Sequence, residues 1–256
     1  MNLAILQARY SSTRLPGKVL KPLLGVPMIL RQLERIKRSA RIDKVVVATS
    51  VDQSDDRIEQ LCRDNGIHVF RGSLSDVLDR FHGAAKPFRP DAIVRLTADC
   101  PLADPQLIDR VIDFFLDGGY DYATNALQPT YPDGLDVEVF RASCLEEAWR
   151  EATLPSEREH VTPFIHRRPE RFRIGHLAGE TDLSALRWTV DEELDYRLVS
   201  EIYAALYPQK PDFGTADVLR LLEERPQLKT MNTKYERNEG MKKSLQADAA
   251  HLSTKP

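Results

Sequence analysis

The first 115 residues of the chain alternate short apolar runs with stretches of helical periodicity. Residues 44–49 form a continuous run of mostly β-branched residues, which is typical of a parallel strand covered on both faces. Shorter runs at 3–7, 68–70 and 92–96 are each followed by apolar residues at helical spacing. This rhythm predicts an α/β fold with a mostly parallel, doubly wound sheet and right-handed crossovers.

The second half of the chain is less regular, and within it we expect a small subregion appended to this sheet and several further elements. They are strands at 135–140, 171–177 and 187–190, and helices at 143–150, 157–167, 193–203 and 215–224. After residue 225 the sequence becomes polar, and we expect a loose tail from residue 246 to the end.

The composition excludes several classes of protein. The formal net charge of −3 gives no attraction to nucleic acid or to a membrane surface, so we expect neither as a partner. No apolar run approaches the roughly 20 residues that cross a bilayer, and the N-terminus lacks the pattern of a signal peptide. Cys62, Cys100 and Cys144 have no metal or disulfide spacing, which favours a reducing, cytoplasmic location.

The loop after the first predicted strand carries a cluster of cations. Arg9, Arg14 and Lys18 stand with Ser12 and Gly17 in one short segment. In a doubly wound sheet such a loop lies at the ligand-binding edge, where cations and backbone N–H groups suit a triphosphate. The segment is not a Walker A loop, because serine stands five residues before the glycine and valine follows the lysine. A solvated basic loop is the alternative.

The segment from Ala8 to Lys18 resembles the nucleotide-binding signature of the cytidylyltransferases that activate acidic sugars, above all the CMP-KDO synthetase type. Two further matches follow in the order of that family. Asp99 stands before Cys100-Pro101 at the end of a predicted strand, and Asp191 opens an acidic helix start. The overall pattern is most similar to the group of spore-coat polysaccharide biosynthesis cytidylyltransferases.

The resemblance implies a role for each matched position. The implied catalytic residues are Lys18, Arg9, Arg14 and Asp99; the nucleotide-binding residues are Ala8, Arg9, Ser12, Arg14, Lys18, Arg71, Gly72 and Ser73; the metal ligands are Asp99 and Asp191. On the acceptor side the candidates are Asp136, Glu138, Arg158 and His160. Taken alone, Asp99 could instead cap a turn, Asp191 a helix, and the segment around Arg158 could be a solvated helix face.

The family also implies a fold, a reaction and a division of the chain. The expected fold is Rossmann-like, of the nucleotide-diphospho-sugar transferase type. The expected enzyme is a homodimer that uses Mg²⁺, or Mn²⁺ in its place, to join CMP from CTP to an acidic small-molecule acceptor in surface polysaccharide biosynthesis. Residues 1–225 would form the catalytic domain, with a nucleotide half at 1–125, an acceptor or dimer subregion at about 126–185, and an extension at 226–256.

Two other functions remain open on the sequence. A nucleotide-sugar-dependent glycosyltransferase shares the fold, but Thr97-Ala98-Asp99 lacks the usual Asp-x-Asp metal motif. A non-enzymatic nucleotide sensor would not need two metal-binding carboxylates. For the enzyme, we expect the Asp99 and Asp191 carboxylates to lie within about 5–7 Å of each other. We also expect a raised pKa for at least one of them and an exposed position for Lys18.

Overall fold

One seven-stranded sheet organises the computed structural model, which describes residues 1–235, 237 and 239–253. Its strands are β1 (Asn2–Gln7), β4 (Lys44–Ser50), β5 (His68–Gly72), β6 (Ala92–Thr97), β7 (Tyr122–Thr124), β8 (Glu138–Arg141) and β9 (Ile174–His176), and a small hairpin pairs β2 (Pro22–Leu23) with β3 (Val26–Pro27). The order across the sheet is β5-β4-β1-β6-β8-β7-β9. Strands β5, β4, β1 and β6 are parallel, so the predicted mostly parallel α/β sheet is confirmed.

The helices cover both faces of this sheet. They are α1 (Met28–Ile36), α2 (Asp56–Asp64), α3 (Val77–Ala85), α4 (Pro105–Gly118), α5 (Ala142–Glu151), α6 (Pro155–His160), α7 (Pro163–His166), α8 (Glu193–Leu206), α9 (Thr215–Glu224), α10 (Pro226–Lys229) and α11 (Glu239–Ser253). None of these helices is long and apolar enough to cross a bilayer, within the residues described.

Side-chain alternation along β1 divides the core into two layers. Ala4 and Leu6 point to the layer formed with α1, α2, α4, α8 and α9. Leu3 and Ile5 point to the layer formed with α3, α5 and α7. All four residues are fully buried. A strand buried on both faces reads as a continuous apolar run, which is why the sequence located β1 and β4 well.

The second half of the sheet departs from the prediction. The predicted strand at 135–140 begins only at Glu138, and it runs antiparallel to β6. Residues 135–137 are held instead by the side chain of Asn125, which donates to the carbonyl of Leu135 at 2.9 Å and accepts from the amide of Val137 at 2.8 Å. Strands β7 and β8 continue the sheet of the first half.

Two further predicted elements differ in the structure. The predicted helix at 157–167 is broken into α6 and α7 at Val161, whose φ of 72° lies in the left-handed region that interrupts a helix. The predicted strand at 187–190 makes a single bridge, between Asp133 and Arg187. Both segments contribute polar side chains to the site described below. The contacts of these polar side chains determine the local structure more strongly than the spacing of the apolar residues does.

The C-terminal extension is more ordered than the sequence indicates. Residues 246–253 belong to α11, so the expected loose tail is wrong for them. The rest of the predicted tail, residues 254–256, lies outside the described part of the chain. The polar composition of α11 misled the prediction, because Ser244 and Asp248 are buried in it and pair with polar groups of α6.

Candidate active site

Three segments that are distant in sequence meet at the carboxyl edge of the sheet. The amide of Ala98, just after β6, donates to the carbonyl of Gln7 at 2.9 Å, and the amide of Val190 donates to the carbonyl of Asp99 at 2.7 Å. Gly134 locks the third segment in place, since its φ of 103° and its approach to the backbone of Thr189 leave no room for a side chain. Backbone contacts thus fix the loop after β1, the turn after β6 and the segment before α8 relative to one another.

Lys18 joins two carboxylates at this meeting point. Its Nζ donates to Asp99 Oδ2 at 2.9 Å and to Asp191 Oδ1 at 2.7 Å. Two oxygens bonded to one nitrogen lie within about 6 Å of each other, so the carboxylates are as close as the sequence predicts. Lys18 itself is only 8% exposed, and the expectation of an exposed loop lysine is therefore wrong.

The charges of this triad stabilise one another. Burial alone would lower the pKa of Lys18, but the carboxylates of Asp99 and Asp191 outweigh it and raise that pKa above its usual value. Burial alone would raise the pKa of Asp99, but Lys18 and a hydrogen bond from Thr97 hold it well below the usual range. The expected raised pKa is therefore wrong for Asp99, because that expectation ignored the lysine.

Arginines hold Asp191 from two sides. Arg14 Nη2 lies 2.8 Å from Asp191 Oδ2, and Arg187 Nη2 lies 3.3 Å from the same oxygen. Arg187 also pairs with Asp133 at 2.8 Å and with the fully buried Asp195 at 3.1 Å. Asp195 in turn accepts from the amide of Asp191 at 3.0 Å. The network fixes the direction of the Asp191 carboxylate, and sequence reasoning missed Arg187 because a lone arginine in an extended segment carries no motif.

Two cavities open on either side of Asp99 and Asp191. The loop cavity, of about 490 Å³, is bounded by the loop after β1, and its lining includes Ala8, Arg9, Ser12, Arg14 and Lys18. The sheet cavity, of about 430 Å³, lies over β6, β7 and β8, and its lining includes Arg95, Tyr122, Asp136, Glu138, His160 and His166. Arg14, Thr97, Asp99 and Asp191 line both, so the two cavities meet at the carboxylate pair.

Arg71, Gly72 and Ser73, which the resemblance implies as nucleotide-binding residues, lie away from the described lining of both cavities. The guanidinium of Arg71 is engaged by Asp56 at 2.7 Å and Glu59 at 2.6 Å, and its Nε donates to a backbone carbonyl of β4. The carbonyl of Ser73 accepts from Arg80 at 2.6 Å, and the neighbouring Gly72 packs against Phe70 and Arg80. The structure thus brings five of the predicted nucleotide-binding positions into the loop cavity and leaves these three outside it.

Three of the four predicted acceptor residues line the sheet cavity. Glu138 accepts from Tyr122 at 2.7 Å and Thr162 at 2.5 Å and also pairs with Arg95. Burial would raise the pKa of Glu138, but Arg95 and these hydrogen bonds lower it below its usual value. At the neighbouring position, burial raises the pKa of Asp136 to about 7, although Arg237 pairs with it.

Arg158, the fourth predicted acceptor residue, does not reach the described lining of either cavity. Its Nε donates to Asp76 at 3.0 Å and its Nη1 donates to the carbonyl of Trp149 at 2.9 Å. The guanidinium therefore ties α6 to the start of α3. A second cation that the sequence missed, besides Arg187, is Arg95 on β6, because an arginine within an apolar run gives no sign of the face on which it lies.

The chemistry of the donor set fits a divalent ion. In the described portion of the chain, no group of three or more His, Cys, Asp or Glu side chains is placed so that it could hold a metal ion. Asp99 and Asp191, however, already face one cation, the Lys18 ammonium, from two directions. Mg²⁺ is commonly held by one or two carboxylates, with substrate phosphates and water completing its octahedron. The pair fits such a site once the ammonium moves aside.

Fold and site together define a nucleotidyltransferase. The chain belongs to the cytidylyltransferase family, whose model matches residues 3–241. It is 36% identical over 237 residues to the spore coat polysaccharide biosynthesis protein SpsF of Bacillus subtilis, which covers 89% of this chain and 96% of that protein. It is 40% identical over 125 residues to a 3-deoxy-manno-octulosonate cytidylyltransferase of an Anaeromyxobacter species, about half of either chain.

Solved structures agree with this assignment. A cytidylyltransferase from Leptospira borgpetersenii superposes with a TM-score of 0.85 at 35% identity, over 92% of this chain and 99% of that one. A CMP:2-keto-3-deoxy-manno-octonic acid synthetase complexed with CTP shares the fold, with a TM-score of 0.61 at 20% identity over 79% of this chain and 98% of that one. These findings favour a nucleotidyltransferase over the two alternatives that the sequence left open, a glycosyltransferase and a non-enzymatic nucleotide sensor.

Removing the lysine of the triad should destabilise the protein. Lys18→Ala leaves two partly buried carboxylates without their shared cation, so we expect the free energy of unfolding to fall by about 2–3 kcal/mol in metal-free buffer. Lys21→Ala is the matched control, because Lys21 pairs with the exposed Glu193 at 3.3 Å and should change stability by less than about 1 kcal/mol. Urea unfolding with a chelator present measures both. Equal losses in the two variants would show that the triad is not a stabilising unit.

Proposed function

We propose that this protein transfers CMP from CTP to a small acidic sugar, with Mg²⁺ bound and pyrophosphate released, in surface polysaccharide biosynthesis. The observation that carries the proposal is the carboxylate pair, Asp99 and Asp191, at the boundary between a cation-lined cavity and a second polar cavity. Transfer of a nucleotidyl group needs this arrangement: a charged donor on one side, an acceptor on the other, and the reacting phosphorus between them. The names of the relatives support the nucleotide and the pathway.

The loop cavity suits the triphosphate. Arg9, Arg14 and Lys18 bring three positive charges to it, and Ser12 adds a hydroxyl. Charge-assisted hydrogen bonds to phosphate oxygens are short and strong, and cations beside the phosphates also stabilise the charge that develops on the leaving group. We assign these residues to binding of CTP and to stabilisation of the departing pyrophosphate.

Asp99 and Asp191 are the proposed ligands of Mg²⁺, for which Mn²⁺ can substitute. When bound, the ion offsets the negative charge of the phosphates and orients them for in-line displacement. Arg14 and Arg187 contact Asp191 but leave the position between the two carboxylates to Lys18. The lysine must leave this position before a divalent ion can occupy it. Lys18 also lines the loop cavity, where the ammonium can pair with the triphosphate instead.

The sheet cavity is the proposed acceptor site. A hydroxyl oxygen of the acceptor attacks the α-phosphorus of CTP and loses its proton to water, the bond from that phosphorus to the bridging oxygen breaks, and pyrophosphate departs with the electron pair. The residues around the cavity position the acceptor. Arg95 and Arg187 supply positive charge toward an anionic sugar, while Asp136 and Glu138 can accept hydrogen bonds from its hydroxyls.

An assay of pyrophosphate release tests this function. We expect release when the protein is mixed with CTP, Mg²⁺ and a panel of acidic sugars that includes 3-deoxy-manno-octulosonate, with CTP preferred over ATP. Chelation of the divalent ion should abolish the reaction. Release that depends on ATP as strongly as on CTP would refute the assignment of the base, and unchanged release in excess chelator would refute the role of the metal.

Substitution of Asp99 separates the metal role from a structural role. Asp99→Asn keeps a coordinating oxygen but removes the charge, so we expect turnover to fall by about 10²–10³. The control is Asp117→Asn, at an exposed position of α4, which should leave turnover unchanged. Steady-state kinetics on folded protein provides the measurement, and turnover within a few-fold of the parent in Asp99→Asn would exclude this carboxylate from the mechanism.

A further inference from the structure

The C-terminal helix α11 is anchored to α6 by buried polar contacts. Asp248 accepts from the amide of Ser156 at 2.8 Å and from its hydroxyl at 2.5 Å. Four residues earlier, Ser244 contacts both Glu159 and His160. Asp248 and Ser244 are 6% and 4% exposed, and buried hydrogen bonds to charged groups are among the more strongly stabilising ones. The helix therefore has a defined position over the site.

One face of α11 borders both cavities. Ser244 and Ala247 line the loop cavity across from the cationic loop, and Met241 lines the sheet cavity. The match to the cytidylyltransferase family ends at residue 241, so nearly all of this helix lies beyond the part of the chain that the family model describes. The site of this protein thus includes a wall that the family pattern does not account for.

Ser244 also orients a residue of the sheet cavity. Its hydroxyl donates to Glu159 Oε2 at 2.6 Å, and a carboxylate oxygen can only accept. The hydroxyl has one proton, so the 2.9 Å contact with His160 Nε2 requires the histidine to donate. That donation selects the tautomer with hydrogen on Nε2 and fixes the plane of the His160 ring, which lines the sheet cavity.

We propose that α11 is a substrate-contacting wall of the active site. Ala247 and Ser244 face the bound CTP, Met241 faces the acceptor, and Ser244 is the positioning residue for His160. The inference rests on the proposed function, in that it takes the loop cavity to be the site of CTP. It predicts that the protein selects its substrates partly through residues beyond the family match.

A pair of substitutions on α11 tests the wall. Ala247→Trp should fill the loop cavity and weaken the binding of CTP with Mg²⁺ by about 10-fold or more, as overfilling a packed site does. Ala249→Trp is the control: the same change on the same helix, at an exposed position outside the lining of both cavities, and it should leave the dissociation constant within about two-fold. Titration calorimetry on the full-length chain measures both constants.

The outcomes separate this inference from the function on which it rests. Tight binding of CTP by the parent protein, together with equal constants for the two tryptophan variants, would overturn the wall and leave the proposed function standing. Failure of the parent protein to bind CTP would overturn the function itself. If Ala247→Trp melts at a lower temperature than the control, Ala247→Leu replaces it, and the same comparison decides.

Discussion

The ion triad of Lys18, Asp99 and Asp191 is the interaction on which the site depends. Two carboxylates held this close in a partly buried position would repel each other strongly without a cation between them. The lysine supplies that cation in the protein alone. In the proposed reaction a divalent ion would take the position of the ammonium between the same two carboxylates.

The rest of the architecture serves to bring the three members of this triad together. The parallel strands β1 and β6 deliver the loop of Lys18 and the turn of Asp99 to the same edge of the sheet. Asp191 comes from a segment that is not a regular strand, and backbone hydrogen bonds together with Arg187 hold it in place. The first half of the chain is built from regular strands and helices, whereas the segment of Asp191 is held by single hydrogen bonds and ion pairs. This difference explains why the apolar periodicity is clear in the first half of the sequence and weak in the second.

Sequence reasoning succeeded where burial imposes a simple period. The strands β1 and β4 are buried on both faces, and the basic loop with its two distant aspartates follows a recognisable pattern. It failed where polar side chains determine the structure. The side chain of Asn125 holds residues 135–137 as an irregular segment where a strand was predicted. The backbone of Val161 interrupts a predicted helix. Ser244 and Asp248 anchor a helix in the region that was predicted to be a loose tail. Arg71 and Arg158 were predicted to bind substrate, but their guanidinium groups are paired with acidic side chains that lie next to them in the fold.

Binding of Mg²⁺ in the absence of nucleotide tests most directly whether Lys18 and a divalent ion share one position. In the parent protein the ion must displace the ammonium, whereas in Lys18→Ala the carboxylates of Asp99 and Asp191 face each other without it. We predict that calorimetry will show Mg²⁺ bound about 10-fold more tightly, or better, by Lys18→Ala than by the parent protein. Equal or weaker binding by the variant would contradict the account, because the two carboxylates would then not form a site that the lysine occupies.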